Sequence, residues 1–329
     1  MDENSTGVLP MSTIPIASVL SLITLVGIVG NTLVLYIIIT NKDMRTITNQ
    51  YLLHLAITDI SLLVFCAIPM TILFFMVDWP FGDFGCRMIS YMQFVSTQVT
   101  CFLLMLVTID RYSLIVKAVQ SRNSRSIRKA RIIIVCIWIV SLLLQLPAAV
   151  LNKVTVFEDG AKVCGTILRD GFQQQAYTIY TFCSIYIVPL TVIAICYVRI
   201  LKVVWMRKST STSVSMRNRN RKIQTKKKIR TTKIVLMLVV AFAIFWLPIH
   251  AFLLWQVFDP MSMIKMINQK LVGTTYILAL CLMYFSSCVN PFIYAFSSSS
   301  FQKQFRIIFT KCCVNSRTAR KVSTSQTGL

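Results

Sequence analysis

Apolar residues in this chain gather into long unbroken runs set apart by short polar stretches. Seven runs can be read, over roughly 14–40, 50–76, 84–117, 130–151, 175–205, 231–257 and 271–296. About 20 apolar residues in a helix cross the roughly 30 Å hydrocarbon layer of a bilayer. Only helices and closed barrels satisfy their own backbone groups in lipid, and these runs are too long and continuous for barrel strands. The pattern predicts an all-α fold, a seven-transmembrane helix bundle over 14–297. A tail at 1–13 precedes it, a segment at 298–329 follows, and a basic inner loop occupies approximately 207–230. The other breaks are Asn41-Lys42-Asp43, Asp78-Trp79-Pro80, Ser121-Arg122-Asn123, Phe157-Glu158-Asp159-Gly160 and Asp259-Pro260. Between the fourth and fifth runs, two short β-prone stretches flank Asp159-Gly160, which reads as a hairpin ending near Cys164.

Composition agrees: of 329 residues, 56% are hydrophobic and 14% charged, too apolar for an ordinary soluble protein. Charge adds the orientation. Of the 34 Lys and Arg residues, 28 fall in segments on the side of the C-terminus. By the positive-inside rule that side is cytoplasmic, and an odd number of spans puts the N-terminus outside the cell. The net charge of +23 is therefore a topology signal; nucleic-acid binding would need a soluble basic face, which the chain lacks. The sequence opens Met1-Asp2-Glu3-Asn4, with acids in place of a basic region, so the first run is expected to stay as a signal anchor. Asn4-Ser5-Thr6, the one glycosylation sequon, falls on the outer side. Of 11 cysteines, Cys86 and Cys164 alone lie in predicted outer segments, where oxidation is permitted. A bond between them would tie the third helix to the loop after the fourth, worth roughly 4 kcal/mol on a chain-entropy argument.

Polar residues inside the spans carry the chemistry. Asp59 is expected in mid-span, where an ionised carboxylate costs about 2.5–3.5 kcal/mol even on a mild insertion scale. It must face a polar interior, with Asn31, Thr100, Ser286 and Asn290 as candidate partners. Such a group is either a cage for a small hard cation such as sodium, formed by Asp59, Thr100 and Asn290, or a water-filled hydrogen-bond cluster. Asp110-Arg111-Tyr112 ends the third span, and Pro69, Pro147, Pro189, Pro248 and Pro291 bend five others. A transporter would show repeated halves and more than one intramembrane acid. An enzyme is not expected: only His54 and His250 are available, without a metal-ligand pairing, a phosphate-cradling loop or a nucleophile elbow.

Taken in order, these residues resemble the rhodopsin-like class of G-protein-coupled receptors. The matches are Gly30-Asn31, Leu55-Ala56 with Asp59, Cys86 with Asp110-Arg111-Tyr112, Trp138, and Pro189 with Tyr197. They continue with Phe242-x-x-Phe245-Trp246-Leu247-Pro248 and Asn290-Pro291-x-x-Tyr294. The resemblance implies a multi-pass protein of the plasma membrane that passes ligand binding to a heterotrimeric G protein by an outward swing of the sixth helix. It makes Trp246, Phe242, Pro189, Asn290, Pro291, Tyr294 and Tyr197 an activation relay. Asp110, Arg111, Tyr112, Val119 and Lys228 become the G-protein face, with a basic inner cavity of Arg111, Lys228 and Arg230. The stretch from Phe301 to Phe309 resembles a short amphipathic eighth helix on the cytoplasmic membrane surface, followed by palmitoylation at Cys312 and Cys313. Arrestin, receptor kinases and membrane lipids are the further partners it implies. Departures from the pattern are Lys228 in place of a locking acid, Cys101, Phe245, Ala118, and Ser286 in place of an asparagine near Asp59.

Ligand class follows from substitutions within that resemblance. Gln93 stands where amine receptors carry aspartate, and Tyr284 where opsins carry lysine. The run Trp246-Leu247-Pro248-Ile249-His250 and the seventh span resemble the galanin, allatostatin-A and kisspeptin receptors. The implied ligand is a neuropeptide contacting Gln93, His250, Tyr276 and Tyr284; a receptor for a small molecule or lipid is the alternative.

Overall fold

The computed structural model describes residues 13–76, 78–117, 125–158, 160–166, 171–209, 216–259, 269–308 and 310, with side chains at all of these except 13, 206–209, 216–228, 269 and 270. Seven helices long and apolar enough to cross a membrane account for most of them. They are α1 (Thr13–Thr40), α2 (Ile47–Leu73), α3 (Gly82–Ile115), α4 (Ile127–Leu151), α5 (Gly171–Trp205, its helix continuing to Ser209), α6 (Met216–Phe258) and α7 (Gln269–Ser297). A further helix, α8, covers 299–308 after a break at Ser298.

Local sequence sets several of the ends. The Thr46 hydroxyl accepts from the Asn49 backbone N–H at 3.3 Å to cap α2, and the Ser126 hydroxyl accepts from Lys129 N–H at 3.2 Å to cap α4. The sixth helix differs from expectation. It runs back to Met216, through most of the stretch read as inner loop. Lys, Arg and Gln are good helix formers, so a charged segment outside the lipid extends a helix that hydropathy alone ends at the membrane.

The prolines bend helices in two ways. In α2 a π-turn at Leu63–Ala67 precedes Pro69, with the Ile68 N–H reaching the Leu63 carbonyl. Another at Cys183–Ile187 precedes Pro189 in α5, with Val188 N–H on Cys183 O. Elsewhere, side chains from neighbouring helices take up carbonyls close to the break. Around Pro147 the Tyr180 hydroxyl donates to Leu144 O at 2.6 Å and the Tyr91 hydroxyl to Leu142 O at 2.9 Å. Beside Pro248 the Tyr186 hydroxyl donates to Ala243 O at 2.8 Å. Beside Pro291 the Asn31 amide donates to Ser287 O at 2.9 Å. A proline inside a spanning helix is tolerated when neighbours supply such donors.

The core is one cluster through the bundle axis, with α7 packed between α1 and α6, and α3 against α2 and α5. Close approach of α1 and α7 requires Gly30: a Cβ there would lie 3.0 Å from Pro291 Cγ. At the outer end, β1 (Asn152–Val156) and β2 (Lys162–Thr166) form the expected antiparallel hairpin, with Val154 opposite Cys164. Gly160 takes φ +85°, a left-handed turn that suits glycine. Cys164 is bonded to Cys86 with Cα atoms 5.6 Å apart, so the hairpin is anchored on α3. Two acids moor it further. Asp83 accepts from Val154 N–H and Asp78 from Lys162 N–H, both at 3.0 Å.

Candidate functional site

At the inner end of α3, one buried carboxylate holds two guanidinium groups. Asp110 Oδ2 accepts from Arg111 Nη2 at 2.7 Å, while Oδ1 accepts from Arg125 Nη2 at 2.6 Å and Nε at 2.9 Å. Arg111 Nη2 also donates to the Thr48 hydroxyl of α2. Both Asp110 and Arg111 are buried, so removing the carboxylate would strand the Arg111 charge at a cost of about 3–5 kcal/mol, whereas Asp110 without Arg111 would still hold Arg125. Arg111 is thus tied to its own helix and to α2, and Tyr112 packs half-buried beside it.

A cleft of about 620 Å³ opens at this end, lined by Arg111, Arg125, Thr48, Tyr294 and Phe301 among others. Among the described residues, its guanidiniums are Arg111 and Arg125. Arg230, expected in the cavity wall, instead donates from Nε to the Ser297 carbonyl of α7 at 2.8 Å. Tyr197 donates to Thr232 O at 3.3 Å, linking α5 to α6. The Tyr294 hydroxyl is buried without a partner among the described residues, its ring 5.4 Å from that of Phe301.

Midway along the bundle, Asp59 Oδ2 accepts from Asn290 Nδ2 at 2.7 Å. Thr100 and Ser286 share a void of about 10 Å³ with Asp59 and Asn290, room for about one water molecule. The Thr100 hydroxyl donates to Thr58 Oγ1 at 2.9 Å. Asn31, expected beside Asp59, uses its amide hydrogens on Gly27 O and Ser287 O. Ser286 is engaged from above: Trp246 Nε1 donates to its Oγ at 3.1 Å.

From Trp246 an aromatic column runs both ways. Phe242 stacks below with ring centres 5.5 Å apart, and His250 lies 6.2 Å above. His250 also meets Tyr186 at 5.0 Å and Phe182 at 5.5 Å; Pro189, on the same helix as these two, is buried. Its Nε2 is buried with no hydrogen-bond partner among the described residues. Gln93 and Tyr284 are brought together, the Tyr284 hydroxyl donating to Gln93 Oε1 at 3.4 Å. Tyr284 is fully buried, so it sits behind Gln93; Tyr276 packs on Phe252 at 5.2 Å.

Residues 30–294 match the family described as 7 transmembrane receptor (rhodopsin family). The chain is 35% identical to G-protein coupled receptor 54 of Oreochromis niloticus, over 88% of this chain and 76% of that one. It is 31% identical to the allatostatin-A receptor of Bombyx mori, over 86% and 76%, and 31% to galanin receptor 2a of Danio rerio, over 94% and 82%. The chain belongs to the rhodopsin family of G-protein-coupled receptors.

As a member of that family it is a multi-pass membrane protein and a signalling receptor. The receptor's aromatic column and Asp59–Asn290 bond connect the outer cluster to the inner cleft within one continuous core. Of the residues read from sequence, Asn4, Ala118, Val119, Phe309, Cys312 and Cys313 lie outside the described residues, as does the side chain of Lys228. Sequence reasoning missed Arg125, Thr48 and a buried amide pair. In that pair Gln145 Nε2 donates to Gln98 Oε1 at 2.8 Å, and Gln98 Nε2 donates to Ser184 O at 3.1 Å. The available signal was a second class of polar residue inside the spans: Gln98 and Gln145 are amides in otherwise apolar stretches.

Proposed function

We propose that this receptor answers a short extracellular neuropeptide of the galanin, allatostatin-A or kisspeptin kind, and passes the signal to a heterotrimeric G protein. The observation that carries the reading is His250, whose unpartnered buried Nε2 crowns the aromatic column leading to Trp246. A hydrogen bond from a ligand at that atom acts directly on the ring stack of α5 and α6. Gln93 supplies an amide held by Tyr284, and Tyr276 an aromatic wall; the set carries no carboxylate and no ammonium, which suits an amidated peptide end. Relatives named for allatostatin-A, galanin and KiSS-1 support the same ligand class. A ligand that prefers the open-inside state moves the equilibrium by its differential affinity. Arg111 then leaves Asp110 and, with Tyr197 and Tyr294, meets the G protein, with Val119 and Lys228 completing the face.

A peptide library screened by calcium or cyclic-AMP response in expressing cells tests this. With the active peptide found, His250→Ala and Gln93→Ala each lower potency by about tenfold, the worth of one lost hydrogen bond to a buried group. Unchanged potency in both variants overturns the pocket.

The same reading includes glycosylation at Asn4, palmitoylation at Cys312 and Cys313, and arrestin and receptor kinases as later partners. It also includes a sodium ion held by Asp59, Thr100 and Asn290, for which the single carboxylate and adjoining hydroxyl are suitable hard donors. Agonist affinity that falls in sodium chloride relative to potassium chloride, and no longer does so in Asp59→Asn, is the expected signature.

A further inference from the structure

On the lipid-facing side of the bundle, a groove of about 580 Å³ opens where α1, α7 and α8 meet. Its walls are Val26 and Leu33 of α1 and Phe292 and Phe296 of α7, and Gly30 and Pro291 meet in its floor. The groove turns polar at one end, where Gln302 and Arg306 of α8 stand. Gln302 Nε2 donates to Phe296 O at 2.8 Å and so closes the last turn of α7. Arg306 is exposed and belongs to none of the three ion pairs among the described residues. That end lies on the basic side of the molecule, which the distribution of Lys and Arg assigns to the cytoplasm.

An apolar trough in the inner half of the bilayer, ending at one uncommitted guanidinium, matches an amphiphile with a hydrocarbon tail and an anionic head. We propose that the groove holds an anionic phospholipid of the inner leaflet, an acyl chain between α1 and α7 and the net-negative head group on Arg306. A guanidinium binds carboxylate and phosphate through paired N–H donors and gains most where the head group is negative overall; a neutral sterol or an acyl group on the chain's own cysteines leaves those donors unused. The assignment does not depend on the identity of the extracellular ligand.

The full-length receptor in detergent, titrated with phosphatidylserine and phosphatidylcholine of identical acyl chains and read by native mass spectrometry, tests it. Phosphatidylserine is retained about fivefold better, the worth of one basic residue at a lipid surface. Arg306→Gln removes that preference. Lys303→Gln, an equal loss of charge on the same helix away from the groove, keeps it. Val26→Trp, which fills the trough from a lipid-exposed position, lowers retention of both lipids alike; all three variants keep the size-exclusion profile of the unmodified receptor. Equal retention of the two lipids by the unmodified receptor overturns the proposal, as does equal loss of preference in R306Q and K303Q. Lipid binding that emerges only in a Cys312→Ser, Cys313→Ser double variant gives the groove to the chain's own acyl groups, and preferred retention of a neutral sterol gives it to sterol; either result overturns it too.

Discussion

Asn31 on α1 donates to the Ser287 carbonyl on α7, the group that Pro291 leaves without its helical partner four residues on. A polar residue in one span thereby completes the backbone of another. Asn31→Ala strands that carbonyl in the core, at a cost of about 1–3 kcal/mol. The expected outcome is a lower melting temperature of the purified receptor and less protein at the cell surface. A serine at the same position falls short of the asparagine, because it cannot span Gly27 O and Ser287 O with two donors.

Asp110 is the common anchor of Arg111 and Arg125. Replacing it with asparagine removes the charge that restrains Arg111 and leaves Thr48 as the remaining tie. Ligand-independent guanine-nucleotide exchange on added G protein should rise severalfold in Asp110→Asn. Arg111→Ala should abolish exchange while surface expression and ligand binding persist. Normal exchange by the Arg111 variant would remove it from the coupling step.

Gln98 and Gln145 form a fully buried amide pair that joins α3 to α4. Gln145→Leu leaves Gln98 Oε1 unmatched, and a loss of about 1–3 kcal/mol follows. Changing both to leucine should recover part of that loss, so a double-mutant cycle on thermal stability yields a non-additive coupling. Strict additivity would show that the bond contributes nothing.

The Cys86–Cys164 bond closes 78 residues of chain. Removing both sulfurs with Cys86→Ala and Cys164→Ala should destabilise the receptor by about 4 kcal/mol, seen as a fall in melting temperature. Because Asp83 and Asp78 still hold hairpin backbone N–H groups, far-ultraviolet helicity at low temperature should be unaltered.

The seven spans were legible because membrane crossing is a property of composition summed over a whole helix, which survives any error about one residue. The hairpin was legible because Asp159-Gly160 is a local turn signal. Contacts between helices were less so. Asn31 and Asp59 are both mid-span polar residues, and only the rotation of α1 against α7 decides that Asn31 turns to Ser287 O. Arg125 lies past the end of any apolar run, and nothing local marks it as the second claimant on Asp110. The start of α6 at Met216 escaped because hydropathy measures the bilayer and not the helix.

The π-turns of α2 and α5 bear on how this receptor is compared with others. Each packs one residue more into its coil than an α-helix would, and one residue is about 100° of rotation. Beyond Cys183, toward the mouth, α5 is therefore out of phase with its own inner half. A receptor whose fifth helix winds without that extra residue shows a different stripe of side chains to the ligand there. Substitutions carried across by alignment, such as at Tyr177 or Tyr180, would land one face away from where the numbering points.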